Sequence, residues 1–375
     1  MIERGDPGLA RSRWEVGGEF DDRQVIQGPY LPWPTPNRLY GLATHAVVEA
    51  LASRPGGRRG RLHIPSYFCP EVVETWRRSS IEVTTYLDDP RWTEPDWSTV
   101  RPEVGDAVLA VNFFGIRGQG RWAAWRDGRP DVLLIEDHSH DPGSAWARNS
   151  TADFAIASLR KTLPVSDGGI LWSPRGAALP PALSYDGKNG SVQKREAMAL
   201  KGRFLAGLRV DKAAFRALQL EGESTLLASS PSAVSDWSAK RIGSGLPLAW
   251  RTRRRRNVAT LIERIERFET MRPLFTSWRR GQCPFSLVLL FASESSRDAC
   301  RSMLVDHHIY PPVHWGQPAD ATDEARMLSK LILTIPADQR YGARDIERVA
   351  AALLAFEREQ VGRGRIVHSN SLGAR

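Results

Sequence analysis

Lysine is scarce in this sequence. Of 52 basic side chains only seven are lysines (Lys161, Lys188, Lys194, Lys201, Lys212, Lys240 and Lys330), and the other 45 are arginines. Cysteine is scarcer. Cys69, Cys283 and Cys300 are an odd number without a Cys-x-x-Cys pair, which argues against a disulfide framework and a four-cysteine zinc site. No apolar run approaches the roughly 20 residues of a membrane span, so no membrane partner is expected. The opening Met1-Ile-Glu-Arg-Gly-Asp6 has no apolar signal-peptide core, and a cytoplasmic protein is expected. Hydrophobic residues at 41% and charged residues at 25% exclude a disordered chain, a collagen and a coiled coil. The 375 residues suffice for one large domain or two, each with a core.

What is present in excess is positive charge. The 52 bases outnumber 43 acids and give a net charge of +9. Such a balance fits a polyanionic partner: nucleic acid, a membrane surface or a phosphorylated substrate. The alternative is that arginine replaces lysine on a solvated surface. The run Arg251-Thr-Arg-Arg-Arg-Arg256 has no interleaved aromatics and reads as the solvated face of an amphipathic helix. Nucleic acid is therefore not the expected partner.

Residues 1–36 end in Pro29, Pro32, Pro34 and Pro36 and read as an irregular arm. A helix is predicted over 42–51. Strands are predicted at 81–86, 106–113, 132–135, 154–157 and 169–172, with short helices at 70–78 and 120–126 between them. Short apolar strands alternating with helices define an α/β unit with a mainly parallel, buried sheet. Residues 185–250 read as helices and loops without strong apolar strands. A helix through Val258, Leu261, Ile262, Ile265 and Phe268 then leads to strands at 285–291 and 331–335 and helices at 295–305 and 345–356. The expected organisation is an arm (1–36), a large domain (37–255), a smaller α+β domain (256–360) and a flexible tail (361–375).

Two constellations carry chemistry. Ile135-Glu-Asp-His-Ser-His-Asp141 follows an apolar strand, where open α/β sheets place their ligands. Asp137, His138 and His140 are candidate metal ligands there; the competing reading is a polar loop that ends a strand. Lys161 lies 24 residues after Asp137, behind a second strand. Arginine stays protonated, whereas a lysine amine can lose its proton and attack a carbonyl. A lysine kept in an arginine-biased chain therefore points to its amine. The pair Gly168-Gly169 follows, a place for close backbone approach.

Pyridoxal phosphate needs a lysine for a Schiff base, a carboxylate that keeps its pyridine nitrogen protonated, and hydroxyls and amides for its phosphate. Lys161, Asp137 and Ser158 supply these, and the 37–44 segment runs into a helix able to cradle the phosphate. With Lys161 in view the metal reading recedes, and no metal is expected. In chain order the sequence shows Tyr40-Gly-Leu-Ala43, Ile64-Pro-Ser-Tyr-Phe-Cys-Pro70, Glu136-Asp137, then Ser158 and Lys161, with Ile309-Tyr-Pro-Pro-Val-His-Trp315 and the 332–341 segment further on. This order resembles the DegT/DnrJ/StrS family of fold-type I pyridoxal phosphate-dependent aminotransferases over roughly residues 37–360.

The resemblance implies a fold-type I architecture, α/β, with a large mainly parallel sheet domain and a smaller C-terminal α+β domain. It implies that Lys161 binds pyridoxal 5′-phosphate and that Asp137 pairs with its pyridinium nitrogen. His140 would lie near the phenolic oxygen, and Ser158 with Gly41, Leu42 and Ala43 would hold the phosphate. Tyr67 or Phe68 would stack on the ring; the alternative is that the family's stacking position falls on Cys69, in which case neither does. The chain departs from the family at Leu42, where a hydroxyl is usual, and in the short Ser158–Lys161 spacing. Asn189 is the one candidate for the asparagine that a partner subunit often supplies. His307, His308 and His314 read as ordinary residues. The expected activity is amine transfer from a donor such as glutamate to a keto or aldehyde group of a nucleotide-linked sugar or secondary-metabolite intermediate, by a homodimer. The alternatives are another reaction of the same cofactor (elimination, decarboxylation or carbon–carbon bond formation) and an inactive basic binding or regulatory protein.

Overall fold

A computed structural model describes residues 12–53, 60–243 and 245–372 of the chain, and side chains as far as residue 362. Seven strands form the main sheet: β1 (Asn37–Tyr40), β2 (Leu62–Pro65), β3 (Val83–Tyr86), β4 (Ala107–Val111), β5 (Leu133–Asp137), β6 (Phe154–Ser158) and β7 (Gly169–Trp172). Their spatial order is β1-β7-β6-β5-β4-β2-β3. Only β7 runs against its neighbours; the other contacts are parallel. Every residue of β2, β4 and β7 is buried, the signature of a sheet covered on both faces. The strands predicted at 81–86, 106–113, 132–135, 154–157 and 169–172 all fall in this sheet. Two are added: β2, and the edge strand β1, read beforehand as part of a phosphate-cradling turn.

Helix α1 (Ala43–Ala52) and the helix Pro70–Arg78 follow β1 and β2. Pro70 opens the latter, where its missing N–H costs nothing. The 185–250 region holds two long helices, Ser191–Leu205 and Lys212–Ala228, and a short one, Asp236–Ile242. The helix Leu248–Ile265 spans the boundary expected at 255/256. Beyond it lies an antiparallel sheet of Met271–Pro273, Leu287–Phe291 and Ile332–Ile335, covered by Glu294–Asp306 and by Ala343–Leu372. The last helix continues through the stretch expected as a tail from 361.

The arm is tied down. Residues 1–11 of it lie outside the described residues; the remainder is not merely a loop. Val16–Gly17 pairs in parallel with Ile309–Tyr310, and Tyr30–Pro32 pairs antiparallel with Gly245–Pro247. The basic run is also less solvated than expected. Arg251 holds the buried Asp141 at 2.8 Å, and Arg254, buried three residues later on the same helical face, donates to Gln339 Oε1 at 2.8 Å.

Candidate active site

The carboxyl ends of β4, β5 and β6 stand side by side, with Val111 opposite Asp137 and Asp137 opposite Ile156. They floor a cavity of about 360 Å³. Strand alternation sends Asp137 into it and sends Glu136 and His138 to the other face. There His138 Nε2 meets Glu136 Oε2 at 3.0 Å, between Trp146 and Trp172. Asp137, His138 and His140 therefore do not converge, which removes the metal reading of that run.

Lys161 closes a single tight turn, Leu159–Lys161, directly after β6, and reaches the same cavity. Its Nζ lies 3.4 Å from His140 Nε2 and 5.4 Å from the centre of the Trp315 ring. Asp137 Oδ1 accepts the Ser139 N–H at 2.8 Å, and Ser139 Oγ accepts the Ser158 N–H at 2.8 Å. Asp137 Oδ2 has no partner among the described residues and is open to one further donor. Burial pushes the His140 imidazole well below the usual histidine range, helped by the Lys161 charge. His314, also beside Lys161, is pushed down to about 3 by burial and then by Lys161. Both rings are neutral at physiological pH.

The opposite wall is the start of α1. Leu42 caps it without a side-chain hydrogen bond, so its first amides are free for an anion. Thr44, in the first turn, lines the cavity and is 6% exposed, yet its Oγ1 has no partner among the described residues. Such an orphan is uncommon in a folded protein. Gly169 makes this wall possible. A Cβ there would lie 2.3 Å from the Ala43 nitrogen and 2.4 Å from the Leu42 carbonyl carbon. Uncapped amides, an orphan hydroxyl, Ser158, an open carboxylate oxygen and a lysine amine fit the groups of pyridoxal phosphate.

Not every expected residue is in place. Leu42, Ala43, Phe68, Asp137, His140, Ser158 and Lys161 line the cavity. Tyr67 does not; its hydroxyl is bound to the His314 carbonyl and the Trp315 amide, so it cannot stack on a ring in the cavity. The Phe68 ring stacks on Trp76 at 5.6 Å, and Cys69 also faces the cavity, its thiol pushed up to about 12 by burial. Gly41 lies behind the wall, packed on Asn189 and Ser232 of its own chain. Asn189 is fully buried, donates to Ser232 Oγ and accepts from the Ser191 amide, so it cannot serve a partner subunit. His307 and His308 are exposed, whereas His314, also read as an ordinary residue, lies beside Lys161 on a neighbouring cavity. Thr44, Trp315 and Arg160 were missed.

A second cavity of about 490 Å³ shares Arg160 and Lys161 with the first. Its inner cations are compensated. Arg160 pairs with Glu223 (2.6 Å), Lys212 with Glu15 (2.9 Å) and Arg340 with Asp338 (2.8 Å). Lys201 pairs with Glu15 at 3.3 Å, and burial pushes its ammonium down to about 8. Arg216 and Arg301, exposed on its wall, have no carboxylate partner among the described residues.

A seven-stranded sheet with one reversed strand, and a lysine behind a strand end facing an aspartate, define a fold-type I architecture. No protein-family model matches the chain, and no curated protein matches it. Solved structures do match. The aminotransferase TlmJ from Streptoalloteichus hindustanus aligns with a TM-score of 0.57 at 16% identity, over 87% of this chain and 86% of that one. A DegT DnrJ EryC1 StrS aminotransferase from Brucella abortus aligns with a TM-score of 0.55 at 13% identity, over 86% of each chain. PseC of Helicobacter pylori, an aminotransferase involved in the biosynthesis of pseudoaminic acid, aligns with a TM-score of 0.61 at 11% identity, over 92% of this chain and all of that one. The chain thus has the fold of the DegT/DnrJ/StrS aminotransferases.

Proposed function

We propose that the protein is a pyridoxal phosphate-dependent aminotransferase. It takes an amino group from a donor such as glutamate and places it on a keto or aldehyde carbon of a nucleotide-linked sugar or secondary-metabolite intermediate. One observation carries this reading: Lys161 and Asp137 face one cavity whose far wall is an uncapped helix start with an unpaired hydroxyl.

When bound, the cofactor supplies an electron sink that stabilises negative charge on the carbon bearing the amine. The chain does the rest. Asp137 Oδ2 would accept the pyridinium N–H and hold its proton there. The α1 amides, Thr44 Oγ1 and Ser158 would hold the phosphate, favoured by the positive end of the helix dipole. Lys161 Nζ would hold the cofactor and, when released, carry a proton between carbons as a general base. Trp315 and Phe68 give the cavity an apolar lining. The second cavity suits an acceptor that is an uncharged polyol where it reaches Lys161, since the inner cations are spent, and anionic at the rim beside Arg216 and Arg301. A homodimer accords with the exposed Val192 and Leu220 on the paired helices Ser191–Leu205 and Lys212–Ala228.

Purified protein mixed with pyridoxal phosphate should gain a near-visible absorption band that borohydride removes. Lys161→Ala should lose the band and at least about a thousandfold in kcat, as for loss of a covalent catalyst. Asp137→Ala should keep some cofactor and lose turnover. Glutamate should bleach the band of the wild type. A colourless protein that takes up no cofactor overturns the proposal; full turnover by Asp137→Ala overturns the role of Asp137.

A further inference from the structure

His140 is held more firmly than a side chain that merely lines a cavity. Its ring lies parallel to Phe114 (5.3 Å, 2°) and to Trp315 (5.8 Å, 14°), with Phe285 at 4.7 Å. Its Nδ1 accepts the backbone N–H of Phe114 at 2.9 Å. That amide is aimed by an unusual backbone. Phe114 has φ of 51°, in the left-handed region that non-glycine residues rarely enter. Gly115 follows at φ of 74°, where a Cβ would lie 2.3 Å from the Cys283 carbonyl oxygen. The Phe114 carbonyl in turn accepts the Phe285 amide at 2.7 Å. Left-handed residues held this way recur where a backbone group must be presented at a fixed angle.

A backbone N–H can only donate, so Nδ1 must offer its lone pair, and a neutral imidazole then carries its proton on Nε2. Nε2 is the atom that faces Lys161 Nζ. We propose that the Phe114 amide is a positioning group that fixes His140 as a hydrogen-bond donor aimed at the space beside Lys161. His140 is thereby excluded as a proton acceptor toward Lys161, and the ligand atom that meets it must be an acceptor. The assignment rests on reading Lys161 and His140 as one site, but it is a property of the empty protein.

The test therefore needs no cofactor. Long-range 15N–1H correlation spectra of 15N-labelled protein would be recorded between about pH 5 and 8, where histidine usually titrates. His140→Gln identifies the His140 signals among the eight histidines. The charged and titratable groups around the ring are Lys161, His314 and Arg254. The expected result is a protonated Nε2 and an unprotonated Nδ1 throughout. A proton on Nδ1, or on both nitrogens, overturns the proposal. A second measurement separates positioning from packing. Glutamine can accept from the Phe114 amide through its carbonyl and donate through its NH2. His140→Gln should keep pyridoxal phosphate affinity within about threefold, whereas His140→Leu should lose at least about tenfold, one good hydrogen bond to a charged group. Equal affinities for the two variants overturn the donor role. Failure of the wild type to take up cofactor would count against the aminotransferase reading and leave the ring's protonation as measured.

Discussion

Histidine burial sets how this protein responds to acid. His45, 1% exposed in the first turn of α1, is pushed down to about 4, chiefly by burial. In the unfolded chain it takes up a proton near pH 6.5. The unfolded state thus binds more protons between those values. Stability from this residue is complete above about pH 6.5 and is lost as pH falls toward 4, by roughly 3 kcal/mol. Urea titrations of wild type and His45→Leu from pH 7 to 4 should show the shallower decline in the variant. At this scale the sequence was readable where chemistry follows an apolar strand. Asp137, Ser158 and Lys161 each do, so strand ends located them. Thr44 was hidden because the hydroxyl stands three places after Gly41 rather than next to it. Trp315 and His314 arrive from a strand and loop more than 150 positions beyond Lys161, and no spacing rule joins them.

Among elements, the contact between β7 and α1 governs the site. Gly169→Ala would drive a methyl into the α1 backbone, displacing the phosphate-facing amides. The expected cost is roughly 2 kcal/mol, in the range of overpacking changes, with a loss of cofactor affinity greater than any loss of melting temperature would explain. Calorimetry and equilibrium dialysis on the same sample would check both. The strands of the main sheet were legible because burial on both faces leaves unbroken apolar runs. The helices Ser191–Leu205 and Lys212–Ala228 were not. Lys194 and Lys201 sit at buried positions of the first, neutralised by Glu19, Glu223 and Glu15. Two charges on an inward face erase the apolar period that sequence reading depends on. Met271–Pro273 was missed because three residues carry too little pattern, and β1 and β2 because Asn37 and Arg38, and His63 and Pro65, break their apolar runs.

Over the whole molecule, the arm acts as a strap across the second cavity. Gly17 donates to the Tyr341 hydroxyl at 2.7 Å, Arg340 reaches the carbonyls of Gly18 and Glu19, and Glu15 bridges Lys201 and Lys212. Glu15→Gln leaves a nearly buried lysine without its counter-charge. It should cost roughly 3 kcal/mol, and the acceptor KM should rise more than kcat falls if the strap shapes that cavity; unchanged KM with lowered stability would confine Glu15 to a structural role. The proposed homodimer should sediment as a dimer, and Leu220→Asp should shift it to monomer; a wild type that sediments as a monomer overturns the dimer. Internal pairs of this kind cancel in the sum, so the net charge of +9 is carried by bases outside them, Arg216 and Arg301 at the cavity rim included.

Lys161 and Arg160 are the wall that the two cavities have in common. In the proposed reaction the lysine would therefore be a partition as well as a reagent. Were the side chain to swing aside, Arg160 alone would stand between rooms of about 360 and 490 Å³. In the proposed reaction, admission of the second reactant would then be coupled to the state of that amine.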